Sequence, residues 1–265
     1  MKVYRLWEGE APGAVGTDPN DIPTLTDYGS KGQNAPVMIV CPGGGYGVLA
    51  QHEGAPIAHF FESIGVRSLV LQYRLAPKYK HPSMLNDVHR AVRYVRAHHA
   101  DLGVDPKRVG VLGFSAGGHL TSMSATLHDK GHPEAADPIE HESCRPDLAV
   151  LVYPVVTLVG PSAHRGSRNN LLGPQATDKE AAALSSDRNV SLDTCPCFMI
   201  HTATDTAVPP QNSLLLSLAL ADHHVPFGLQ LMEKGPHGFG MGTPGSDLDW
   251  RPALTRWLKG RGFLG

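Results

Sequence analysis

The chain has 265 residues, of which 41% are apolar and 18% charged, and its formal net charge is −2 with neutral histidines. This length fits one domain with a sizeable core, and the composition is typical of a soluble globular protein. The sequence has no block of basic residues, so neither nucleic acid nor an anionic membrane is an expected partner. The longest apolar stretches, residues 37–41 and 148–153, are far too short to cross a bilayer.

The start of the chain lacks the pattern of a signal peptide. Lys2 is not followed by an apolar segment, and Glu8 and Glu10 come early. We therefore expect either a cytoplasmic protein or the mature form of a secreted or periplasmic one. Four cysteines are too few for a disulfide scaffold, and no cluster has convincing metal-ligand spacing, so neither a metal nor a cofactor is predicted.

Short β-branched runs alternate along the chain with helical patterns, which predicts βαβ units and a mostly parallel sheet flanked by helices. Strands are predicted over residues 37–40, 66–73, 109–113, 148–152, 198–201 and 227–232. Helices are predicted from about residue 82 to before Gly103, directly after Ser115, over 210–222 and over 248–259. Residues 1–36 are expected to be irregular with one or two edge strands. Residues 155–194 fit the rhythm poorly and are interpreted as an excursion over the active-site end of the sheet, within a single domain spanning 1–265.

The sequence G-F-S-A-G at residues 113–117 matches the G-x-S-x-G pattern, between a predicted strand and a predicted helix. In this arrangement Ser115 sits on a sharp turn, and the positions two before and two after it have little room for a Cβ. The pattern alone is weak and could mark a turn that merely starts a helix. Its position between a strand and a helix favours a catalytic serine.

A serine hydroxyl needs a base to become nucleophilic, and the base needs a carboxylate to orient it. Asp205 and His237 follow in the order Ser, Asp, His, each in a loop after a predicted strand. Among the 15 histidines, His237 alone combines this order with flanking glycines. The other histidines considered are predicted at helix ends (98, 99, 223 and 224), packed in the helix after the serine (119), or inside a strand as a core or supporting residue (201). Asp222, a weaker alternative for the acid, ends a predicted helix.

The segment C-P-G-G-G-Y at residues 41–46 follows the first strong strand. Its unhindered N–H groups predict an oxyanion hole formed by Gly44 or Gly45 together with Ala116. A phosphate-binding loop is the alternative, but the Lys-Ser/Thr pair that it requires does not follow. Tyr46 and Glu53 are predicted to line the substrate pocket. For Glu53, an acid placed at a helix N-terminus is an equally good interpretation.

Taken together, the glycine loop, Y-R-L-A-P at residues 73–77, the G-x-S-x-G segment and the spaced Asp and His resemble the hormone-sensitive-lipase-like branch of the α/β-hydrolases. The chain is more closely similar to bacterial carbohydrate esterases of the acetylxylan and feruloyl esterase type. Their recurring segments are matched by H-E-G at 52–54, S-C-R-P-D at 143–147 and H-G-F-G at 237–240. Two features depart from the lipase branch: Cys41-Pro42 precedes the glycines where that branch has His, and the N-terminal segment leaves little room for a helical cap.

The resemblance implies an α/β-hydrolase fold without a large cap domain. It also implies a serine esterase that removes short acyl groups, acetyl or feruloyl, from xylan-type carbohydrates, with a small-molecule or carbohydrate ester as its partner. A general short-chain carboxylesterase and a prolyl-oligopeptidase-like peptidase remain alternatives, as does a non-enzymatic binding protein on the same scaffold. The sequence does not indicate the oligomeric state.

Overall fold

An eight-stranded sheet runs through the described part of the chain, residues 1–29 and 32–265, of this computed structural model. The strands are β1 (Lys2–Arg5), β2 (Thr24–Asp27), β3 (Ala35–Cys41), β4 (Arg67–Gln72), β5 (Val104–Phe114), β6 (Leu148–Val152), β7 (Cys197–Thr202) and β8 (Phe227–Met232). Their spatial order is β1-β2-β4-β3-β5-β6-β7-β8. The pairs β1–β2 and β2–β4 are antiparallel, and every other neighbouring pair is parallel. The predicted α/β architecture is therefore confirmed.

The six predicted core strands are all present, with ends shifted by a few residues, and the N-terminal segment supplies two further strands. Only β1 of these two is an edge strand, because β2 pairs on one side with β1 and on the other with β4. The largest extension is in β5, which begins at Val104 and not at residue 109. Ala35 pairs with Val104 across a register irregularity that separates this pair from the regular ladder beginning at Val37 and Val109.

Helices cover the sheet. They are α1 (Ala55–Ser63), α2 (Ser83–Ala97), α3 (His99–Leu102), α4 (Ser115–Thr126), α5 (Arg165–Leu172), α6 (Asp178–Ala183), α7 (Gln211–Asp222) and α8 (Arg251–Gly260). Short 3-10 helices lie at Pro19–Asp21, Gln51–Glu53, Pro138–His141 and Ser186–Arg188.

Two predicted helices differ from those observed. The helix expected from about 82 to Gly103 is interrupted at His98, whose backbone leaves helical geometry (φ −103°, ψ 20°) while its ring stacks on Tyr94. The C-terminal helix begins at Arg251 and not at residue 248. The carboxylate of Asp249 accepts a hydrogen bond from the Arg251 N–H, so the residues before the helix form a turn.

The alternation of side chains along β3 places the core on both faces of the sheet. Val37 and Ile39 join a buried cluster with residues of α2 and α4, whereas Met38 and Val40 join a second one with residues of α1 and α8. A strand that is buried on both faces reads as a continuous apolar run, which is the signal that predicted it. The four cysteines are buried and unpaired. Within the described residues, no helix combines the length and the apolar character needed to cross a membrane.

His119, one turn into α4, is completely buried. Its Nε2–H donates to the Leu184 carbonyl (2.9 Å), so Nδ1 is the acceptor for the Tyr46 hydroxyl (2.8 Å). Burial lowers the pKa of His119 from 6.5 to about 4. His119 is therefore packed in the core, but its hydrogen-bond partners are distant along the chain and not local as the sequence suggested.

A His119→Asn variant should make folding stability less dependent on pH. Between pH 6.5 and about 4, the unfolded chain binds a proton at His119 that the folded protein excludes. The free energy of unfolding therefore falls as the pH falls through this window, by up to about 1.4 kcal/mol per pH unit from this residue. Urea unfolding at pH 7, 6, 5 and 4.5 should give a shallower pH dependence for the variant, although it is less stable at pH 7. Equal slopes for variant and wild type would contradict the prediction.

Candidate active site

Ser115 lies at the junction where β5 ends and α4 begins, with a left-handed backbone (φ 51°). The two glycines around it are required by close backbone approach. A Cβ on Gly113 would lie 2.0 Å from the Gly117 carbonyl oxygen, and a Cβ on Gly117 would lie 2.1 Å from that of Cys41. Neither position tolerates a side chain, which confirms the reason given for the G-x-S-x-G pattern.

The structure brings the predicted base and acid into one hydrogen-bonded series with Ser115. Asp205 follows β7 and His237 follows β8. The His237 Nδ1–H donates to Asp205 Oδ2 (2.6 Å), and Nε2 lies 2.8 Å from Ser115 Oγ, where it can accept the hydroxyl proton. The alternative acid, Asp222, is exposed at the end of α7. This geometry is the one expected of a nucleophile, a base and an orienting acid.

Asp205 is held as a carboxylate by its surroundings. Burial alone would raise its pKa, but hydrogen bonds from His201, from His237 and from the backbone N–H of Val208 outweigh burial and hold the pKa below the usual value. His201 is itself completely buried. Its Nε2–H faces the Val208 carbonyl (2.9 Å) and Asp205 Oδ2 (3.4 Å), and its Nδ1 lies 2.8 Å from Ser213 Oγ. The supporting role expected of a histidine in this strand fits these contacts.

The glycine loop after β3 presents its backbone beside Ser115. Gly44 has a φ of 122°, and a Cβ there would lie 2.2 Å from the Val48 carbonyl oxygen. The Gly43 N–H donates to Glu53 Oε2 (2.7 Å), whereas within the described residues the N–H groups of Gly44 and Gly45 have no protein acceptor. Ala116 lies in the first turn of α4, where N–H groups lack intrahelical partners. These three N–H groups remain the candidates for an oxyanion hole.

Tyr46 and Glu53 do not occupy the positions predicted for them. Tyr46 is completely buried and Glu53 is 2% exposed, so neither offers surface to a substrate. The Tyr46 hydroxyl is hydrogen-bonded to His119. The Glu53 carboxylate accepts hydrogen bonds from the Gly43 N–H and from the Tyr153 hydroxyl, both at 2.7 Å. The carboxylate of Glu53 is therefore directed at the glycine loop and not at the N-terminus of α1.

Two residues that contact this site were not among the predicted site residues. Tyr153 follows β6 directly, its hydroxyl accepts the Gly240 N–H (2.9 Å), and its ring centroid lies 4.9 Å from that of His237. Asn170, in α5, donates from Nδ2 to the Gly45 carbonyl (2.8 Å). Tyr153 could have been found from its position at the carboxyl end of a parallel strand, where side chains of such sheets form sites. Asn170 belongs to the polar segment 165–170, for which the sequence favours a solvated loop, and its contact depends on the path of residues 155–194.

The sheet is mostly parallel and carries a serine on a strand-to-helix turn. An aspartate and then a histidine follow in sequence, and the histidine is hydrogen-bonded to both the serine and the aspartate. This combination defines an α/β-hydrolase. A sequence model of the BD-FAE family matches residues 27–220, and the chain belongs to that family.

Two sequence relatives match about three quarters of the chain. It is 37% identical over 209 residues to endo-1,4-beta-xylanase B of Butyrivibrio fibrisolvens, and the aligned region covers 76% of this chain and 32% of the relative. It is 32% identical over 211 residues to the acetylxylan esterase of Xylanibacter ruminicola, covering 78% of this chain and 41% of the relative. The chain therefore spans less than half the length of either protein.

Solved structures resemble the chain over its whole length. The acetyl ester-xyloside bifunctional hydrolase of Caldicellulosiruptor lactoaceticus is 42% identical, with a TM-score of 0.94 and coverage of 100% of this chain and 97% of that one. The carboxylesterase Cest-2923 of Lactobacillus plantarum is 26% identical, with a TM-score of 0.78 and coverage of 100% and 99%.

His201→Leu should slow the reaction of Ser115 without removing any of the three residues in the series. The substitution removes the N–H that faces Asp205, and the loss of one hydrogen bond to a charged group corresponds to roughly a tenfold lower rate. The measurement is the rate of Ser115 labelling by a fluorophosphonate. Ser213→Ala is the matched control, because it removes the partner of the opposite ring nitrogen and should change the rate much less. Equal effects of the two variants would contradict the assignment of His201 to Asp205.

Proposed function

We propose that this protein is a serine carboxylic ester hydrolase that removes short acyl groups, above all acetyl, from xylan-type carbohydrates. The observation that carries the proposal is the hydrogen-bonded series Ser115–His237–Asp205 beside glycine-loop N–H groups that have no acceptor among the described residues.

The mechanism is a two-step acyl transfer. His237 Nε2 takes the proton of Ser115 as Oγ attacks the ester carbonyl carbon, and the carbonyl oxygen becomes an oxyanion that accepts the N–H groups of Gly44 or Gly45 and of Ala116. The C–O bond to the alcohol breaks as His237 protonates the leaving oxygen. Water, deprotonated by His237, then attacks the acyl carbon. The bond to Ser115 Oγ breaks, Oγ takes the proton from His237, and the acid is released. Asp205 keeps His237 in the tautomer with its proton on Nδ1 throughout.

The choice of substrate rests on the named relatives and on the described residues, which form no large cap over the sheet. Relatives over most of the chain are called an acetylxylan esterase and an acetyl ester-xyloside hydrolase. A long acyl chain needs apolar cover that a large cap would supply, whereas acetyl does not. A feruloyl group, a general short-chain ester and an acyl-proline peptide are the alternatives that measurement should separate.

Acetylated xylan, p-nitrophenyl acetate and p-nitrophenyl butyrate should be hydrolysed, and p-nitrophenyl octanoate should be a poor substrate. Replacing Ser115 by Ala should lower kcat by a factor on the order of 10⁵ or more, because the nucleophile is lost while the binding groups remain. The measurement compares initial rates on these esters, on methyl ferulate and on acyl-proline peptides, with Ser115→Ala as the blank.

Each of the other outcomes selects a different function. A preference for octanoate would replace the proposal by a lipase-like activity, and cleavage of acyl-proline peptides without ester hydrolysis would replace it by a peptidase. Absence of both fluorophosphonate labelling and turnover in the wild-type protein would indicate a binding protein on this scaffold.

A further inference from the structure

We propose that Glu53 and Tyr153 are positioning residues that keep the glycine loop and the loop carrying His237 in fixed positions relative to each other. This inference rests on the proposed function. Neither residue contacts the hydroxyl of Ser115 or the nitrogens of His237 through a hydrogen bond. Both act on the reaction through the backbone groups that they bind.

The first link joins Glu53 to the glycine loop. Glu53 Oε2 accepts the Gly43 N–H at 2.7 Å, and Gly43 is packed between this carboxylate and the nucleophile. A Cβ built on Gly43 would lie 2.7 Å from Glu53 Oε2 and 3.0 Å from Ser115 Cβ. This hydrogen bond fixes the orientation of the peptide group that contains the Gly43 N–H, and the chain continues from there into Gly44 and Gly45. Displacement of the carboxylate would therefore turn the N–H groups proposed to bind the oxyanion.

The second link joins Glu53 to the loop that carries His237. The Tyr153 hydroxyl donates to Glu53 Oε1 (2.7 Å) and accepts the Gly240 N–H (2.9 Å). On its other side, Gly240 is fixed by the indole of buried Trp250, whose Nε1–H donates to the Gly240 carbonyl (2.8 Å). The Tyr153 ring also packs against His237. Three successive hydrogen bonds thus connect the glycine loop with the loop of the base.

The chemistry of a carboxylate makes this link specific. An ionised carboxylate is an acceptor at both oxygens, so it can receive the Gly43 N–H and the Tyr153 O–H together. A glutamine in the same place has one acceptor oxygen and one donor NH₂. Whichever way its amide is turned, one partner loses its acceptor, and a buried donor is left without a hydrogen bond.

The test compares Glu53→Gln and Tyr153→Phe with wild type in hydrolysis of p-nitrophenyl acetate and in inhibition by an alkyl trifluoromethyl ketone. Ser115 Oγ adds to the ketone carbon, its proton passes to His237, and the carbonyl oxygen becomes an oxyanion that needs the glycine-loop N–H groups. Interactions made only with this tetrahedral state affect kcat and the ketone Ki but not KM. Concentrations are set by titrating reactive Ser115 with a fluorophosphonate, so that only folded sites are counted.

For Glu53→Gln we expect kcat/KM to fall, and the ketone Ki to rise by the same factor, about 10- to 100-fold, somewhat less than the loss of a direct oxyanion donor. KM should change by less than about threefold, because the ground-state ester makes little use of the oxyanion hole. Tyr153→Phe keeps the ring against His237 and removes only the hydroxyl, so a parallel shift in kcat/KM and Ki is expected there too. Tyr4→Phe is the matched control: it removes a tyrosine hydroxyl bonded to Asp27 between β1 and β2, and should leave all three constants unchanged.

Two results would overturn the assignment. If both variants keep kcat/KM and the ketone Ki within twofold of wild type, the two residues do not position the site. If KM rises as much as the ketone Ki, their role is general substrate binding or stability. Wild-type protein that hydrolyses no ester would contradict the proposed function itself, and the positioning role would fall with it.

Discussion

The packing of the Ser115 turn against the end of β3 is the constraint on which the rest of the site depends. The left-handed backbone at Ser115 and the contact of Gly117 with the Cys41 carbonyl leave no freedom in where the serine hydroxyl lies relative to the glycine loop. A non-glycine residue held in this region costs on the order of 1–3 kcal/mol and persists only where its surroundings determine it. Here the surroundings are two neighbouring parallel strands, β3 and β5, whose ladder runs up to Cys41 and Gly113.

Strain is concentrated around this turn. Five non-glycine residues in the described part of the chain have a positive φ, and three of them, Tyr46, Ser115 and Tyr153, belong to the site or its support. Each is completely or almost completely buried, and each directly follows or lies close to the end of a core strand. The sheet therefore supplies the rigidity, and the chain turns sharply where the strands stop. This arrangement lets groups from β3, β5, β6, β7 and β8 converge at one edge.

The sequence predicted the features that short segments encode and did not predict those that depend on contacts between distant residues. The strands β3 to β8 and the grouping of Ser115, Asp205 and His237 were predictable, because strand patterns and chain order are encoded in short segments. At the break between α2 and α3, His98 Nδ1 lies 2.9 Å from the Tyr94 carbonyl oxygen, and before α8 the Asp249 carboxylate accepts the Arg251 N–H. Neither contact has a recognisable pattern in the sequence. The burial of Tyr46 and Glu53 could not be read from sequence. Their partners, His119 and Tyr153, are distant along the chain and meet them only after the sheet has formed.

Glu53 shows why a buried charge can serve a site better than an apolar residue of the same volume. Removing a carboxylate from water is costly, and the cost is offset only while donors remain on its oxygens. The Gly43 N–H in the glycine loop and the Tyr153 hydroxyl after β6 both belong to turns, so relaxation of either turn removes a hydrogen bond from the buried carboxylate. An apolar residue would fill the space but would impose no penalty on a small rotation of the Gly43 peptide. The desolvated carboxylate thus raises the free energy of small displacements of the glycine loop, and preorganised N–H donors require such a restraint.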